Sequence, residues 1–168
     1  MADYRRSHLP GGTFFLTLVT HHRTPVFRQP IAINALRAAL RRVRQRYPFV
    51  LDGVVVLPDH LHLLLTLPTD HADFPTRVRL IKYHTSRRLP TMQPPLWQRR
   101  YWEHTVRDGE DFRRHLDYVH YNPVRHGYVR MPEDWPYSSL HRAIARGLYP
   151  RGWGASEPDT IRTGRWRE

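Results

Sequence analysis

Hydrophobic positions along this chain predict strands and helices in alternation. The run Thr13–Thr20 is β-branched and aromatic and follows two glycines, a pattern typical of a strand. Between Ile31 and Arg46, apolar residues recur at three- and four-residue spacing among arginines, which predicts an amphipathic helix with a basic outer side. Two further apolar runs, Phe49–Leu57 and Leu61–Leu67, flank the turn pair Pro58-Asp59 and predict a tight hairpin.

The second half of the chain continues this alternation. A second helix is predicted over Phe74–Leu89, and a further strand over Tyr101–Arg107. A third helix is predicted to begin at Glu110 and to end near Asn122, because Pro123 disfavours helical geometry at the residue before it. This order of elements predicts an α+β sandwich in which helices pack on a largely antiparallel sheet.

Length and composition favour one compact domain. We expect this domain to span residues 1–150 and the arginine- and glycine-rich residues 151–168 to form a basic, flexible tail. The chain has no cysteine, which excludes disulfides and thiolate chemistry. No apolar run approaches the roughly 18 residues of a membrane span, and the first residues lack an apolar signal core. A soluble cytoplasmic protein without a membrane partner is therefore the default expectation.

The charge balance adds a candidate partner. The formal net charge is +12, and all but one of the 27 basic residues are arginine, Lys82 being the exception. Arginine matches phosphate oxygens with its planar fork and stacks on bases. Charge alone leaves a polyanion-binding surface and an ordinary solubilising surface equally open. Nine Tyr and five Trp favour nucleic acid, because aromatic rings among cations suit unpaired bases.

A His-hydrophobic-His motif is the first candidate for chemistry. On a strand, His60 and His62 point to the same face, where two imidazoles can bind one divalent ion. Taken alone, the motif is better explained as two partly buried histidines bonded to backbone carbonyls. A histidine-triad nucleotide hydrolase is disfavoured, because Leu64 stands where that chemistry needs a third histidine.

The predicted third helix carries a second candidate set. Tyr118 and Asn122 are four residues apart and therefore lie on one helix face, with His115 one turn earlier. A tyrosine oxygen can act as a covalent nucleophile, and an amide oxygen can complete a metal site that polarises a phosphate. Each residue taken singly is more readily explained by packing or by its position at the helix end.

Four stretches decide between these interpretations when they are taken together. In order along the chain they are Leu57–His62, Trp97–His104, Asp117–Gly127 and Trp135–Ser139. Spread over residues 4–145, they resemble the single-tyrosine transposases of the HUH class, in the branch of REP-associated tyrosine transposases. The resemblance implies a ferredoxin-like sandwich with an antiparallel central sheet.

The resemblance also implies roles for individual residues. His60 and His62 match the metal-binding pair, and Tyr118 matches the nucleophile. Asn122 matches the position where related insertion-sequence transposases carry a glutamine that completes the metal site. The implied metal is Mg²⁺ or Mn²⁺.

The implied partner is single-stranded DNA with palindromic REP hairpins, cleaved to leave a 5′-phosphotyrosine bond. A monomer is expected rather than a helix-swapped dimer.

Weaker DNA-binding candidates are Arg5, Arg6, Lys82, Arg99 and Arg100, with Lys82 on a basic helix face that includes Arg77 and Arg79. Trp102 is expected to be a core anchor. The alternative is a non-enzymatic binder of structured nucleic acid, for which Tyr118 would be dispensable.

Overall fold

A computed structural model describes residues 8–90, 92, 94–162, 164 and 166. Its strands are β1 (Thr13–Val19), β2 (Val50–Val56), β3 (His60–Thr66) and β4 (Trp102–Thr105). Its α-helices are α1 (Pro30–Arg46), α2 (Phe74–Arg87), α3 (Gly109–Arg125), α4 (Leu140–Ala145) and α5 (Asp159–Arg162). Short 3-10 turns lie at His21–Arg23, Val26–Arg28 and Pro132–Asp134. Arg5 and Arg6 lie outside the described residues.

The four strands form one sheet in the order β2-β3-β1-β4, and every neighbouring pair is antiparallel. Along the chain, β1, α1, β2, β3, α2 and β4 follow in the order of a ferredoxin-like sandwich. The hairpin turn lies at Pro58-Asp59, as the sequence predicts. Asp52-Gly53, a second pair typical of turns, instead lies inside β2, at a bulge between Leu51 and Gly53. The predicted fold class is therefore confirmed.

Side chains of the two central strands alternate between the faces of the sheet. On one face, Leu61, Leu63 and Leu65 of β3 join a buried cluster with residues of α1 and α2. On the other face, Leu64 packs with residues of α3 and its neighbours in a second cluster. His60 and His62 share the parity of Leu64, so the strand itself directs both imidazoles towards α3.

Arg77 departs from the expected basic outer face of α2. Its side chain is 1% exposed, and its guanidinium donates hydrogen bonds to the carbonyl oxygens of Pro48 and Asp73. A buried guanidinium that is bonded in this way joins α2 to Pro48, two residues before β2. Arg77 therefore stabilises the fold and is not part of a solvated basic surface.

The helix α3 runs past the predicted end at Asn122, through Pro123, to Arg125. Proline removes one intrahelical hydrogen bond, but Tyr118, Val119 and Asn122 are fully buried against the sheet and hold the helix in place. Gly127, with φ of +73°, ends the helical path. Gly53 of β2 permits the close approach of α3, because an added Cβ there would lie 2.8 Å from the Leu116 Cδ1 atom.

The residues after Pro150 do not extend away from the domain where they are described. Ile161 of α5 is 1% exposed and belongs to the cluster beneath α3. The carboxylate of Asp117 accepts hydrogen bonds from the Tyr149 and Thr160 hydroxyls. The sequence predicts a tail here, because a single isoleucine among polar residues produces no periodic signal. Within the described part of the chain, no helix has the length and apolar character needed to cross a bilayer.

Candidate active site

The histidine pair lies on β3 in the space between the sheet and α3. His60 and His62 are at most 1% exposed, and their ring centroids are 5.0 Å apart with planes inclined by 81°. The Nδ1 atom of His60 lies 2.6 Å from the Asp59 carboxylate, and that of His62 lies 2.9 Å from the Thr17 hydroxyl. Both rings are thus held through Nδ1, so Nε2 is the nitrogen with which each would bind a cation.

Asp59 supports the first of these rings electrostatically. Burial by itself would raise the pKa of the Asp59 carboxyl. The hydrogen bond and charge of His60, together with those of Arg23, outweigh burial and hold that pKa below its ordinary value. Arg23 Nη1 lies 3.2 Å from the same carboxylate. Asp59 is therefore ionised at neutral pH, and its carboxylate accepts a hydrogen bond from Nδ1–H of His60.

Tyr118 faces the histidine pair from α3. Its ring centroid lies 5.3 Å from that of His62, and its side chain is fully buried. The Arg125 guanidinium carbon lies 5.7 Å from the centre of the phenol ring. The sequence interpretation missed Arg125, although its i+7 spacing from Tyr118 places it on the same helix face. The structure thus brings together the Tyr118 phenol, the two imidazoles and the Arg125 guanidinium.

Asn122 lies one turn beyond Tyr118 and is also fully buried. Neither Oδ1 nor Nδ2 of its amide has a hydrogen-bond partner among the described residues. Buried amides are rarely left in this state, because the lost hydrogen bonds cost about 1–3 kcal/mol. An amide oxygen is a donor that hard divalent cations accept. The orphaned amide beside two imidazoles therefore fits a metal site.

Trp166 covers the face of the tyrosine. Its indole ring stacks on the Tyr118 phenol, and its Nε1 atom donates a hydrogen bond to the Ile161 carbonyl at 2.9 Å. Ile161 is buried beneath α3, so this bond fixes the position of the indole. Trp166 therefore covers one face of the phenol ring. Nothing in the arginine-rich sequence of the C-terminal segment indicated such a contact.

A second group of metal-type donors lies on β4 and on the first turns of α3. Donor atoms of His104, Asp111 and His115 lie within 4.8 Å of one another, and the Phe15 ring lies between His115 and His62. The group is internally hydrogen-bonded: His104 Nε2 lies 2.8 Å from the Asp111 carboxylate, and His115 Nδ1 lies 2.8 Å from the Asp111 carbonyl oxygen. The first of these bonds joins β4 to α3 and the second lies within α3, and we interpret the group as a brace between the two elements.

The basic residues predicted to bind DNA have different environments. Arg99 and Arg100 are exposed in the loop before β4. Lys82 instead donates a hydrogen bond from Nζ to the Gln98 carbonyl at 2.8 Å and lies over the Tyr101 ring. Lys82 therefore fixes the loop on which the two arginines stand.

The tryptophans of this region reverse one expectation. Trp97 is 7% exposed and packs in the core with Phe27, so it is the anchor. Trp102 was the expected core anchor, and that expectation is wrong, since 39% of it is exposed. The physical reason is the position of β4 at the edge of the sheet.

Fold and site together define a class of protein. A ferredoxin-like sandwich with a His-hydrophobic-His pair on a central strand, opposed by a tyrosine on a packed helix, is the arrangement of the HUH single-tyrosine enzymes. Comparison with known proteins specifies the family. The model of the family "Transposase IS200 like" matches residues 12–122. The chain belongs to these IS200-like transposases, within the REP-associated tyrosine transposases, and is an enzyme of that type.

Individual relatives agree with this assignment. The REP-associated tyrosine transposase of Escherichia coli is 40% identical over 159 residues, which cover 95% of this chain and 94% of the relative. A Haemophilus influenzae protein assigned to the same group is 40% identical over 171 residues, covering 95% and 96%. A solved structure of a REP-associated tyrosine transposase bound to a REP hairpin has a TM-score of 0.87 at 38% identity, covering 100% and 99%. The similarity thus extends beyond residues 4–145.

Proposed function

We propose that this transposase is a metal-dependent endonuclease and strand transferase for single-stranded DNA that bears REP-type hairpins, with Tyr118 as its nucleophile. The observation that carries the proposal is the position of the phenol ring, 5.3 Å from the His62 ring within one chain. Because the tyrosine and the histidine pair of a single chain already lie together, no second copy is needed. This supports a monomer as the active form.

The donors of His60, His62 and Asn122 would hold Mg²⁺ or Mn²⁺. When bound, the cation polarises the scissile phosphate and offsets the charge that develops on it. The protein's own contribution is orientation: Asp59 and Thr17 fix the two imidazole rings through Nδ1. The orphaned amide of Asn122 supports its place in this set.

The proposed step is an exchange of bonds at phosphorus. The Tyr118 phenol oxygen loses its proton and forms a bond to phosphorus, while the bond from phosphorus to the 3′ oxygen of the preceding nucleotide breaks. That oxygen takes up a proton and leaves as a 3′ hydroxyl. The 5′ phosphate of the downstream strand stays on Tyr118, and attack by a 3′ hydroxyl reverses the exchange.

Arg125 has a proposed part in the same step. Its guanidinium lies 5.7 Å from the centre of the phenol ring, so it stands beside the proposed nucleophile. It offers hydrogen-bond donors to a phosphate that enters the site. Arg125 would therefore help to hold the phosphate that Tyr118 attacks.

DNA binding would come mainly from phosphate contacts spread over the basic surface. The net charge of +12 and the exposed Arg99 and Arg100 support this, and Arg5 and Arg6 remain predictions for the same role. Lys82 would act through the loop that it holds. A similar solved protein binds a REP hairpin, which supports the same class of substrate here.

The test is a covalent-adduct assay with a hairpin oligonucleotide. Because the downstream strand stays on the protein, a 3′-end label should appear in a slow band on a denaturing gel, while a 5′-end label appears in a shortened free fragment. Mn²⁺ is added after dialysis against a chelator. Wild type should give the adduct and Tyr118→Phe none. Tyr83→Phe is the matched control, since Tyr83 is 52% exposed on α2, and it should behave as wild type.

The metal assignment is tested in the same assay. His60→Ala should lose cleavage and keep most hairpin binding, because affinity comes from phosphate contacts elsewhere. Cleavage by His60→Ala at the wild-type rate would contradict the metal assignment. Hairpin binding without any adduct in wild type, and unchanged in Tyr118→Phe, would instead favour a non-enzymatic binder.

A further inference from the structure

One more histidine continues the row formed by the tyrosine and the amide on α3. Tyr118, Asn122 and His126 follow at four-residue spacing, so they lie on one face of the helix. His126 keeps helical backbone angles (φ −82°, ψ −2°), and its N–H donates to the Asn122 carbonyl oxygen at 3.0 Å. Gly127 then turns the chain away. His126 is therefore the last position at which this row can present a side chain to the sheet.

The His126 ring lies almost as close to His60 as the His62 ring does. Its centroid is 5.1 Å from that of His60, with planes inclined by 62°. The two proposed ligands His60 and His62 have almost the same relation, at 5.0 Å and 81°. The Nε2 atoms of all three rings are buried. The His60 ring thus lies near two imidazoles, those of His62 and His126, at nearly equal separation. The Asn122 amide lies on the same helix as His126, one turn earlier.

We propose that His126 is a further ligand of the divalent cation. The inference rests on the proposed function, since it assumes the cation at His60, His62 and Asn122. The ligand set would then be three neutral imidazole nitrogens and one amide oxygen, all of them donors that first-row divalent ions accept. A divalent cation with only four protein ligands would still accept oxygens of a DNA phosphate.

A purely structural role for His126 makes different predictions. Its ring also packs near that of Tyr128, with centroids 5.9 Å apart and planes inclined by 24°. If this packing were its whole contribution, loss of the imidazole would lower the melting temperature and leave metal affinity unchanged. If His126 is a ligand, loss of the imidazole should instead weaken metal binding and change the melting temperature of the metal-free protein little. Metal affinity and the coordination sphere therefore distinguish the two roles.

The experiment measures Mn²⁺ binding to the full chain without DNA, by isothermal titration calorimetry. We expect His126→Ala to weaken binding by at least about tenfold, the scale at which groups that support a metal site act. His60→Ala should weaken binding at least as much. The control is His84→Ala, because His84 lies on α2, on the other face of the sheet, and this variant should bind as wild type. The melting temperature of each metal-free variant shows whether it folds.

A spectroscopic count of ligands completes the test and does not depend on the folding of a variant. Electron spin-echo modulation of bound Mn²⁺ should show three coordinated imidazole nitrogens in wild type and two in His126→Ala. Two nitrogens in wild type, or wild-type affinity in His126→Ala with weakened binding in His60→Ala, would overturn the inference and leave the proposed function intact. Wild-type affinity in both variants would overturn the metal site itself.

Discussion

The indole ring of Trp166 lies flat on the phenol ring of Tyr118, with centroids 4.1 Å apart and planes inclined by 13°. Tyr118 is fully buried in this arrangement. A DNA phosphate therefore cannot reach the proposed nucleophile until the indole moves. Aromatic pairs of this kind contribute about 0.5–1.5 kcal/mol beyond the area that they bury.

We predict that Trp166→Ala forms the covalent adduct faster than wild type. Loss of the stacking energy should raise the open fraction, and hence the initial rate, by about two- to tenfold. The measurement is the time course of adduct formation on the 3′-labelled hairpin. Trp153→Ala is the matched control, since Trp153 lies in the same C-terminal region but packs on Tyr149 and not on Tyr118. An unchanged or slower rate in Trp166→Ala would show that the indole does not limit access.

Asp59 gives a second prediction, because it orients a proposed ligand without touching the cation. Asp59→Asn keeps the size of the side chain but replaces the carboxylate that accepts a hydrogen bond from His60 Nδ1, with the two atoms 2.6 Å apart. Mn²⁺ affinity should fall by about 10- to 100-fold, as is typical when the partner of a ligating histidine is lost. Calorimetric titration measures this fall. Asp70→Asn, at a side chain that is 81% exposed, should have no effect.

Much of this site could be predicted from the sequence because it depends on short-range geometry. The strand period of two places His60 and His62 on one face of β3. The helix period places Tyr118 and Asn122 on one face of α3. Which face of the sheet α3 covers is a tertiary relationship, and the family resemblance supplied it. The bounds of the main elements likewise followed from apolar periodicity to within a few residues.

What could not be predicted arises from contacts between distant segments. Pro123 suggested a helix end, but burial of Asn122 and its neighbours carries α3 onwards to Arg125. Arg77 looked like a surface cation, yet it is bonded to the Pro48 carbonyl, far away in sequence. Trp166 had no periodic context at all. In each case packing against another element outweighs the local preference.

The brace between β4 and α3 gives a prediction of pH dependence. Burial would raise the pKa of Asp111, but hydrogen bonds from His104 and the Arg107 backbone, with the charges of His104 and His115, lower it to about 2. The unfolded value is near 3.8. A carboxyl with a lowered pKa stabilises the fold above its unfolded pKa, and this contribution disappears as the pH falls through the folded value.

Asp111→Asn should therefore destabilise the protein by about 2 kcal/mol at neutral pH. The difference from wild type should be constant above about pH 4 and shrink as the pH falls towards 2. Urea unfolding at pH 7, 4 and 3 measures it. Asp70→Asn again serves as the exposed control. A difference that stays constant down to pH 2.5 would mean that Asp111 acts by packing and not by its charge.

The buried amide of Asn122 gives the last prediction, in which stability and metal binding change in opposite directions. Neither polar atom of this side chain has a hydrogen-bond partner among the described residues. Asn122→Leu replaces the amide with an apolar group of similar length and so removes an unsatisfied buried pair. The metal-free variant should be more stable than wild type by about 1 kcal/mol, read from the urea midpoint.

The same variant should bind Mn²⁺ more weakly, because leucine offers no oxygen to a cation. If Asn122 served only in packing, an apolar replacement could raise stability, but it would leave metal affinity unchanged. The matched control is Asn34→Leu at an exposed position of α1, which should alter neither quantity. If Asn122→Leu were less stable than wild type and bound Mn²⁺ equally well, the amide would be a structural group whose partners lie elsewhere.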